Sequence, residues 1–484
     1  MNTQVQRRKE LTAKIGIIGV GHHVYWPQFE GLLEELEKKL AIFESKIKKY
    51  NVKTVNFGII DCAEGAYKAI PEIRASNPDI LFVDMLTYAT SSTFGAIARD
   101  LNIPIVLVAL QPLNALDYGK ASTYMQLCND DFCSVPEFTG VAMRMGRKIP
   151  DVIIGTLEND ALADAEIEEW IKIARVLHDL KNARIGHMGH VLEAMLDMHT
   201  DPAAVTGAFG AHVVQCEPDD ILKYYAKNSG SREVEEKKNE ILSFFDTPDP
   251  VSDPITCKLT EDDLDTAARV YDALEKFIAE KKLDGLAYYY EGQPCSDIRK
   301  VVTNLIVGNS LLTAAGFPMC GEFDIKTCLA MMIMDRLEIG GSFAEFHPID
   351  FARGTVLVGH DGPHHINIAA GRPVLRSLKK YHGKPGSGAG VEFRIKEGPI
   401  TMLSIGVKAD GKFKMIIAEG ESVRHPIPAT GNTNTHGLFK PDVRTFLKNW
   451  VKEGPTHHFA LGIGHHASTI AKIAEALNIE SVIV

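Results

Sequence analysis

Apolar residues along this chain follow two alternating rhythms. Lys14 to Val20 (Lys-Ile-Gly-Ile-Ile-Gly-Val) is a short apolar run ending beside glycine, the pattern of a strand buried on both faces. From Phe29 to Tyr50 the period changes, and Leu32, Leu33, Leu36, Leu40 and Phe43 fall close to one helical face. The exchange then repeats. Val52 to Ile60, Ile80 to Asp84 and Ile103 to Leu110 read as strands; Ala63 to Ser76 and Ser91 to Leu101 read as helices. Strands alternating with helices predict βαβ units and a parallel sheet covered on both sides.

A second alternation follows the helical stretch Asp164 to Leu180. Strands are expected at Asn182 to His187, Ala211 to Gln215 and Gly285 to Tyr290, and helices at Glu233 to Phe245, Glu261 to Lys281 and Ser296 to Ala315. Thr260 with Asp263 three residues on is a capping signal for the helix from Glu261. After about Gly340 the texture changes again. Glu392 to Ile395, Ile400 to Val407 and Lys412 to Ala418 are short strands punctuated by Gly-Pro and Asp-Gly, as in antiparallel hairpins. The tail returns to helix (Pro441 to Val451), strand (Phe459 to Ile463), helix (Ala467 to Leu477) and a final Val482-Ile483-Val484. The reading is an α/β protein of three domains: two doubly wound parallel-sheet domains, 1–180 and 181–340, and a C-terminal β-rich domain, 341–484.

Composition narrows the function. At 484 residues the chain exceeds one ordinary core. A formal charge of −11 disfavours a nucleic-acid binder or a protein held on anionic membrane. No apolar run reaches the ~18 residues of a spanning helix, and the polar Met1 to Glu10 lacks the core of a signal peptide. The eight cysteines are scattered without a Cys-x-x-Cys, so they read as reduced thiols in a cytoplasmic protein.

Chemistry concentrates between Gly321 and His360. Glu322, Glu345 and His360 sit beside glycines at the edges of apolar segments. Carboxylates plus imidazole form the mixed oxygen and nitrogen set that suits a divalent ion such as Mn²⁺, and His465-His466 could add a fourth ligand. Each residue has a plainer reading. Glu322 could be a first-turn carboxylate favoured by a helix dipole, and Glu345 a rim carboxylate paired to Arg353. His360 could be a hydrogen-bonded core histidine with His364 and His365 as competitors, and His465-His466 a pair bonded to backbone. Near the N-terminus, Gly19-Val20-Gly21-His22-His23 resembles half of a dinucleotide fingerprint, but Val24 stands where the third glycine belongs. His22, His23 and Tyr25 would crowd a phosphate and fit a hydroxyl-rich sugar better. The order is more specific than any member: Glu, about two dozen residues, Glu, fifteen residues, His, then about a hundred residues to His-His.

That order resembles the L-arabinose isomerase family. Gly-Glu-x-Asp-x-Lys-Thr at Gly321 to Thr327 and Ser342-Phe343-Ala344-Glu345 match its two glutamate blocks. Leu357-Val358-Gly359-His360 is similar to its first histidine block, and Gly464-His465-His466 resembles its His-His block. His22 to Pro27 resembles an N-terminal segment that reaches an adjacent subunit's active site, with His22 where the family has glutamine. The related fucose isomerases share the layout. The resemblance implies two α/β layers followed by a β-barrel part with flanking helices. It implies a divalent ion on Glu322, Glu345, His360 and His466, with the two glutamates as the acid/base pair of an aldose–ketose isomerase working through an enediol. It implies substrate contacts from His22, His23, Tyr25 and His465. It also implies a homo-oligomer (trimer, hexamer or tetramer) with active sites between subunits. Departures after Gln111 and after Glu345 leave the sugar open. The departures near the N-terminus also keep in view a catalytically inactive sugar-binding protein of the same fold; separately, the Gly19-x-Gly21 turn keeps an NAD-linked dehydrogenase as a third reading.

Overall fold

The computed structural model describes residues 4–191, 195–249, 256–378, 380–381, 384–385, 388–428 and 430–484. The chain forms two compact units. One comprises Leu11–His178 with Lys472–Asn478; the other comprises Asp179–Ala471 with the chain ends Met1–Glu10 and Ile479–Val484.

The smaller unit is a five-stranded parallel sheet. Its order is Lys53–Ile60, Lys14–Val20, Ile80–Met85, Ile105–Gln111, Asp151–Thr156. Ile15, Ile17, Ile18 and Val20 are all fully buried, as an all-apolar strand covered by helices requires. The chain reverses its direction of spread between Lys14–Val20 and Ile80–Met85. A crevice therefore opens at their carboxyl ends, the usual ligand position in such sheets. Gly19 to His23 lies at that edge, and the His22 ring packs edge-on against Tyr25 at 5.2 Å and Tyr88 at 5.9 Å. A side chain at Gly21 would strike the Trp26 ring, which explains the glycine without a phosphate. Beneath the crevice, the buried Lys39 ammonium donates to the carbonyls of Leu86 and Cys128 and to Asp131, at 2.8, 3.0 and 2.7 Å.

The larger unit begins with a four-stranded parallel sheet in the order Met319–Cys320, Gly285–Tyr288, Arg184–Met188, His212–Cys216. The helix Glu261–Lys281 starts with a reciprocal capping box between Thr260 and Asp263, as the sequence predicts. The expected helix Ser296 to Ala315 is instead two, Asp297–Thr303 and Ile306–Ala314, broken where the Asn304 amide turns back to the Lys300 carbonyl at 2.7 Å. The helix Ile325–Arg336 is buried along its whole length and leads into an antiparallel barrel. Gly398–Val407, His458–Ile463, Gly340–Asp350, Thr355–His360, Thr433–Leu438 and Phe413–Val423 pair in that order, and the last closes on the first. Glu480–Ile483 adds a parallel strand beside Phe413–Val423. Parallel sheet gives way to barrel near Gly340, and we place a further domain boundary there as our own reading. Among the described residues, no helix is long and apolar enough to cross a membrane.

Candidate metal centre

The turn that presents Glu322 is built against the backbone's preference. Glu322 and Phe323 both adopt left-handed φ, 59° and 65°. For non-glycine residues such backbone costs about 1–3 kcal/mol each and persists only where the surroundings enforce it. Here they do. The Phe323 N–H donates to the Tyr288 carbonyl at 2.9 Å. His187 stacks on the Phe323 ring with centroids 3.4 Å apart, and its Nε2 donates to the Phe323 carbonyl at 3.2 Å. Asp324 then caps the helix Ile325–Arg336, accepting from the N–H groups of Lys326 and Thr327 at 3.1 Å each.

Glu345 arrives by strand register. In Gly340–Asp350 it pairs with Gly359 on one side and His458 on the other, so the two flanking strands deliver His360 and His458 beside it. Phe343, two residues earlier and buried, wedges against both imidazoles, 4.2 Å from the His360 ring and 4.3 Å from His458. No side chain fits at Gly359, where a Cβ would overlap the Thr433 carbonyl of the next strand.

The result is a knot of five side chains. His360 Nε2 lies 3.9 Å from both Glu322 Oε1 and Glu345 Oε1. His458 Nε2 and His457 Nε2 lie 3.5 and 3.7 Å from Glu322 Oε2. Ligand atoms around one six-coordinate ion with bonds of about 2.1 Å stand about 3.0 Å apart when adjacent and about 4.2 Å when opposite. The observed separations fall inside that window. Two three-residue groups have ligand atoms mutually within 4.8 Å: Glu322 with His457 and His458, and Glu345 with His360 and His458. Glu322 Oε2 and His458 Nε2 are buried, face one another, and have no hydrogen-bond partner. Buried polar atoms are rarely left this way, and a cation between them satisfies both.

The electrostatics fit a cation as well. Burial, with Glu322 and Asp361 adding to it against the pull of His457, pushes Glu345 up to about 7. Burial would pull His457 down, but the Glu322 carboxylate, 3.7 Å from its Nε2, and the hydrogen bond to Asp197 outweigh it and raise the ring to about 9. Burial works against the Asp324 carboxylate too, yet Lys326, His458 and Thr327 hold it well below the usual range. The centre gathers the carboxylates of Glu322, Glu345, Asp324 and Asp197 around its imidazoles, a charge distribution that favours a bound cation.

Some residues singled out from the sequence meet here and others do not. Glu322, Glu345 and His360 converge. His466 is not part of either ligand group among the described residues. It follows the strand His458–Ile463 rather than opening it, and its backbone N–H donates to the Thr401 hydroxyl at 3.0 Å. His465 is exposed, its Nε2 donating to the Gly420 carbonyl at 3.2 Å. The imidazoles beside Glu322 belong to a different adjacent pair, His457-His458, eight positions upstream. The sequence carries this pair as a His-His directly before the apolar run at Phe459, just as it carries His465-His466 directly after that run. Arg353 pairs with Asp350 at 2.7 Å, so the plainer reading of Glu345 as its partner is not realised. His364 accepts from the Ser342 hydroxyl and donates to the His360 carbonyl, both at 2.9 Å, which makes it a support for the His360 loop. His22, His23 and Tyr25 lie in the smaller unit, where the His22 ring packs edge-on against those of His23 and Tyr25.

Comparison with known proteins gives this geometry a context. Residues 374–484 match the family model for the L-fucose isomerase C-terminal domain. The chain is 22% identical over 481 residues to an L-arabinose isomerase of Herpetosiphon aurantiacus, covering 96% of this chain and 93% of that one. It is 21% identical over 473 residues to one from a Nocardioides species, covering 96% and 91%. It is 22% identical over 397 residues to the L-arabinose isomerase of Escherichia coli, covering 79% and 76%. The similarity first drawn from short motifs thus extends along nearly the whole chain.

Proposed function

We propose that this chain, a distant relative of the L-arabinose isomerases with an L-fucose isomerase type C-terminal domain, is a metal-dependent aldose–ketose isomerase acting on a small sugar. The observation that carries the metal is the facing pair Glu322 Oε2 and His458 Nε2, buried, 3.5 Å apart and otherwise unsatisfied. Glu322, Glu345, His360 and His458 would hold the ion, with His458 in the role that the sequence pattern assigned to His466. Two carboxylates and two imidazoles suit Mn²⁺ or a similar hard ion better than tetrahedral Zn²⁺. Such an ion, when bound, acts as a Lewis acid on a sugar oxygen beside C2 and makes the C2 proton more acidic.

The protein's own groups then move protons. Glu345 takes the C2 proton and returns it to C1; because it also ligates the ion, its basicity in the loaded centre is set by that ion. Glu322, held rigidly by the left-handed turn, shuttles the proton between O1 and O2. Phe343 fixes the imidazoles and keeps that side of the centre dry. The protein would act as a homo-oligomer, with His22, His23 and Tyr25 of an adjacent subunit as contacts to the sugar hydroxyls.

The test is a panel of aldoses assayed for ketose after chelation and Mn²⁺ add-back. Activity should vanish with the chelator and return with the ion. Glu322→Gln and Glu345→Gln should each lower kcat by about 10²–10⁴-fold with an unchanged circular dichroism spectrum. Ketose formation without ion, or at wild-type rate in either variant, contradicts the reading. Sugar binding without turnover favours the inactive binder.

A further inference from the structure

Both imidazoles of the adjacent pair are backed by a carboxylate, and only one of those carboxylates lies in the glutamate motif. His458 Nδ1 donates to Asp324 Oδ2 at 3.2 Å. His457 Nδ1 donates to Asp197 Oδ2 at 2.6 Å, and the His457 backbone N–H reaches the same oxygen at 3.1 Å. A hydrogen bond donated from Nδ1 fixes the ring's orientation and leaves Nε2 as the ligand atom, the usual arrangement behind a metal-bound histidine. Both Nε2 atoms are turned to the same oxygen, Glu322 Oε2. The two rings differ in exposure: His458 is fully buried and His457 lies on the solvent side.

Asp197 comes from a distant part of the chain, the short turn Leu196–Met198 after the strand Arg184–Met188. That turn is fastened without its carboxylate. The buried Lys326 ammonium donates to the carbonyls of Asp197 and Met198 at 2.8 and 3.1 Å. The Asp197 side chain is therefore free to serve the imidazole rather than the loop.

We propose that Asp197 is a positioning residue that holds His457 as a fifth protein donor to the ion, on the solvent side of the centre. The inference rests on the metal-dependent reading above and deepens it: the protein shell becomes two carboxylates and three imidazoles. Such a shell leaves fewer positions for sugar oxygens than a four-donor set.

Full-length protein, stripped by chelation and titrated with Mn²⁺ while free ion is followed by electron paramagnetic resonance, tests this. Asp197→Ala should weaken Mn²⁺ binding by about 10–100-fold, the usual effect of removing a carboxylate behind a ligating imidazole. His457→Gln should weaken it at least as much. The double variant should be no weaker than His457→Gln, because Asp197 acts only through that ring. Loaded with Cu²⁺, the wild type should show hyperfine coupling to three nitrogens, falling to two in His457→Gln. Asp197→Asn, which retains volume and an acceptor oxygen, should fall between wild type and Asp197→Ala and guards against a folding defect in the latter. Unchanged affinity in Asp197→Ala, or losses that simply multiply in the double variant, overturns the inference alone. Wild-type protein that takes up no Mn²⁺ overturns it together with the metal reading.

Discussion

Imidazoles in this molecule do two different jobs, and what stands at their nitrogens distinguishes them. His457 is turned toward the Glu322 carboxylate and is pushed up to about 9 once that carboxylate and the hydrogen bond to Asp197 outweigh burial. His187, His364 and His365 are packed into the protein for support, and burial pushes each down to about 4. Their folded-state values lie below the ~6.5 of an unfolded histidine. On acidification the unfolded chain takes up protons first, so the stability these rings contribute is complete above about 6.5 and is lost as pH falls toward 4. At pH 5 the loss is about 2 kcal/mol per ring. Glu345, raised to about 7, works in the opposite sense, because a carboxyl more easily protonated when folded gains stability as pH falls. A single-residue variant therefore isolates the effect. His365→Leu should flatten the dependence of unfolding free energy on pH between 7.5 and 5 by about one proton. Denaturant titrations at a series of pH values measure it, and an unchanged slope would show that His365 is not held neutral by its burial.

At the scale of elements, the centre depends on strand register more than on any local motif. Glu345 meets His458 and His360 only because its strand pairs with Gly359 and His458 at one level. Gly359→Ala would drive a methyl into the Thr433 carbonyl and the Asn434 side chain. It should cost about 1–3 kcal/mol by overpacking and weaken Mn²⁺ binding with it. Gly371→Ala, where nothing lies within 4 Å of the added carbon, should do neither. Thermal unfolding and metal titration of the pair measure this, and equal behaviour of the two variants would remove register as the cause. The central parallel strands are legible in the sequence because they are buried on both faces, as Lys14–Val20 and Ile80–Met85 are, whereas the partly exposed edge strand Asp151–Thr156 carries no such signal. The barrel was legible only in part. Thr433–Leu438 (Thr-Asn-Thr-His-Gly-Leu) carries no apolar signal, yet all but Leu438 is buried. Its side chains pair with other polar groups, Thr435 with Ser422 at 2.6 Å and His436 with Thr355 at 2.9 Å. Periodicity cannot report a strand whose interior face is a hydrogen-bonded network. The short helices Thr123–Cys128, Pro202–Phe209 and Asp219–Tyr225 escaped because six to eight residues barely complete two turns.

At the scale of the whole molecule, one centre gathers side chains from widely separated stretches of chain. Glu322 comes from a strained turn, Glu345 and His360 from neighbouring barrel strands, His457 and His458 from the mouth of another, and Asp197 from the turn after an early strand. Three candidate donors, Glu322, Glu345 and His360, were readable because glycines and apolar runs mark them. Which histidine pair completes the set was not, since two such pairs flank one strand and only the pairing of that strand tells them apart. The hydrogen-bond partners behind the ligands carry no local signal, because Asp197 and His457 are brought together by folding alone. The most direct test of the account is equilibrium Mn²⁺ binding to chelated full-length protein and to two variants, His458→Ala and His466→Ala. The account predicts one ion per chain in the wild type, loss of binding by at least about 100-fold in His458→Ala, and wild-type affinity in His466→Ala. Retention of the ion by His458→Ala, or its loss from His466→Ala, would contradict it.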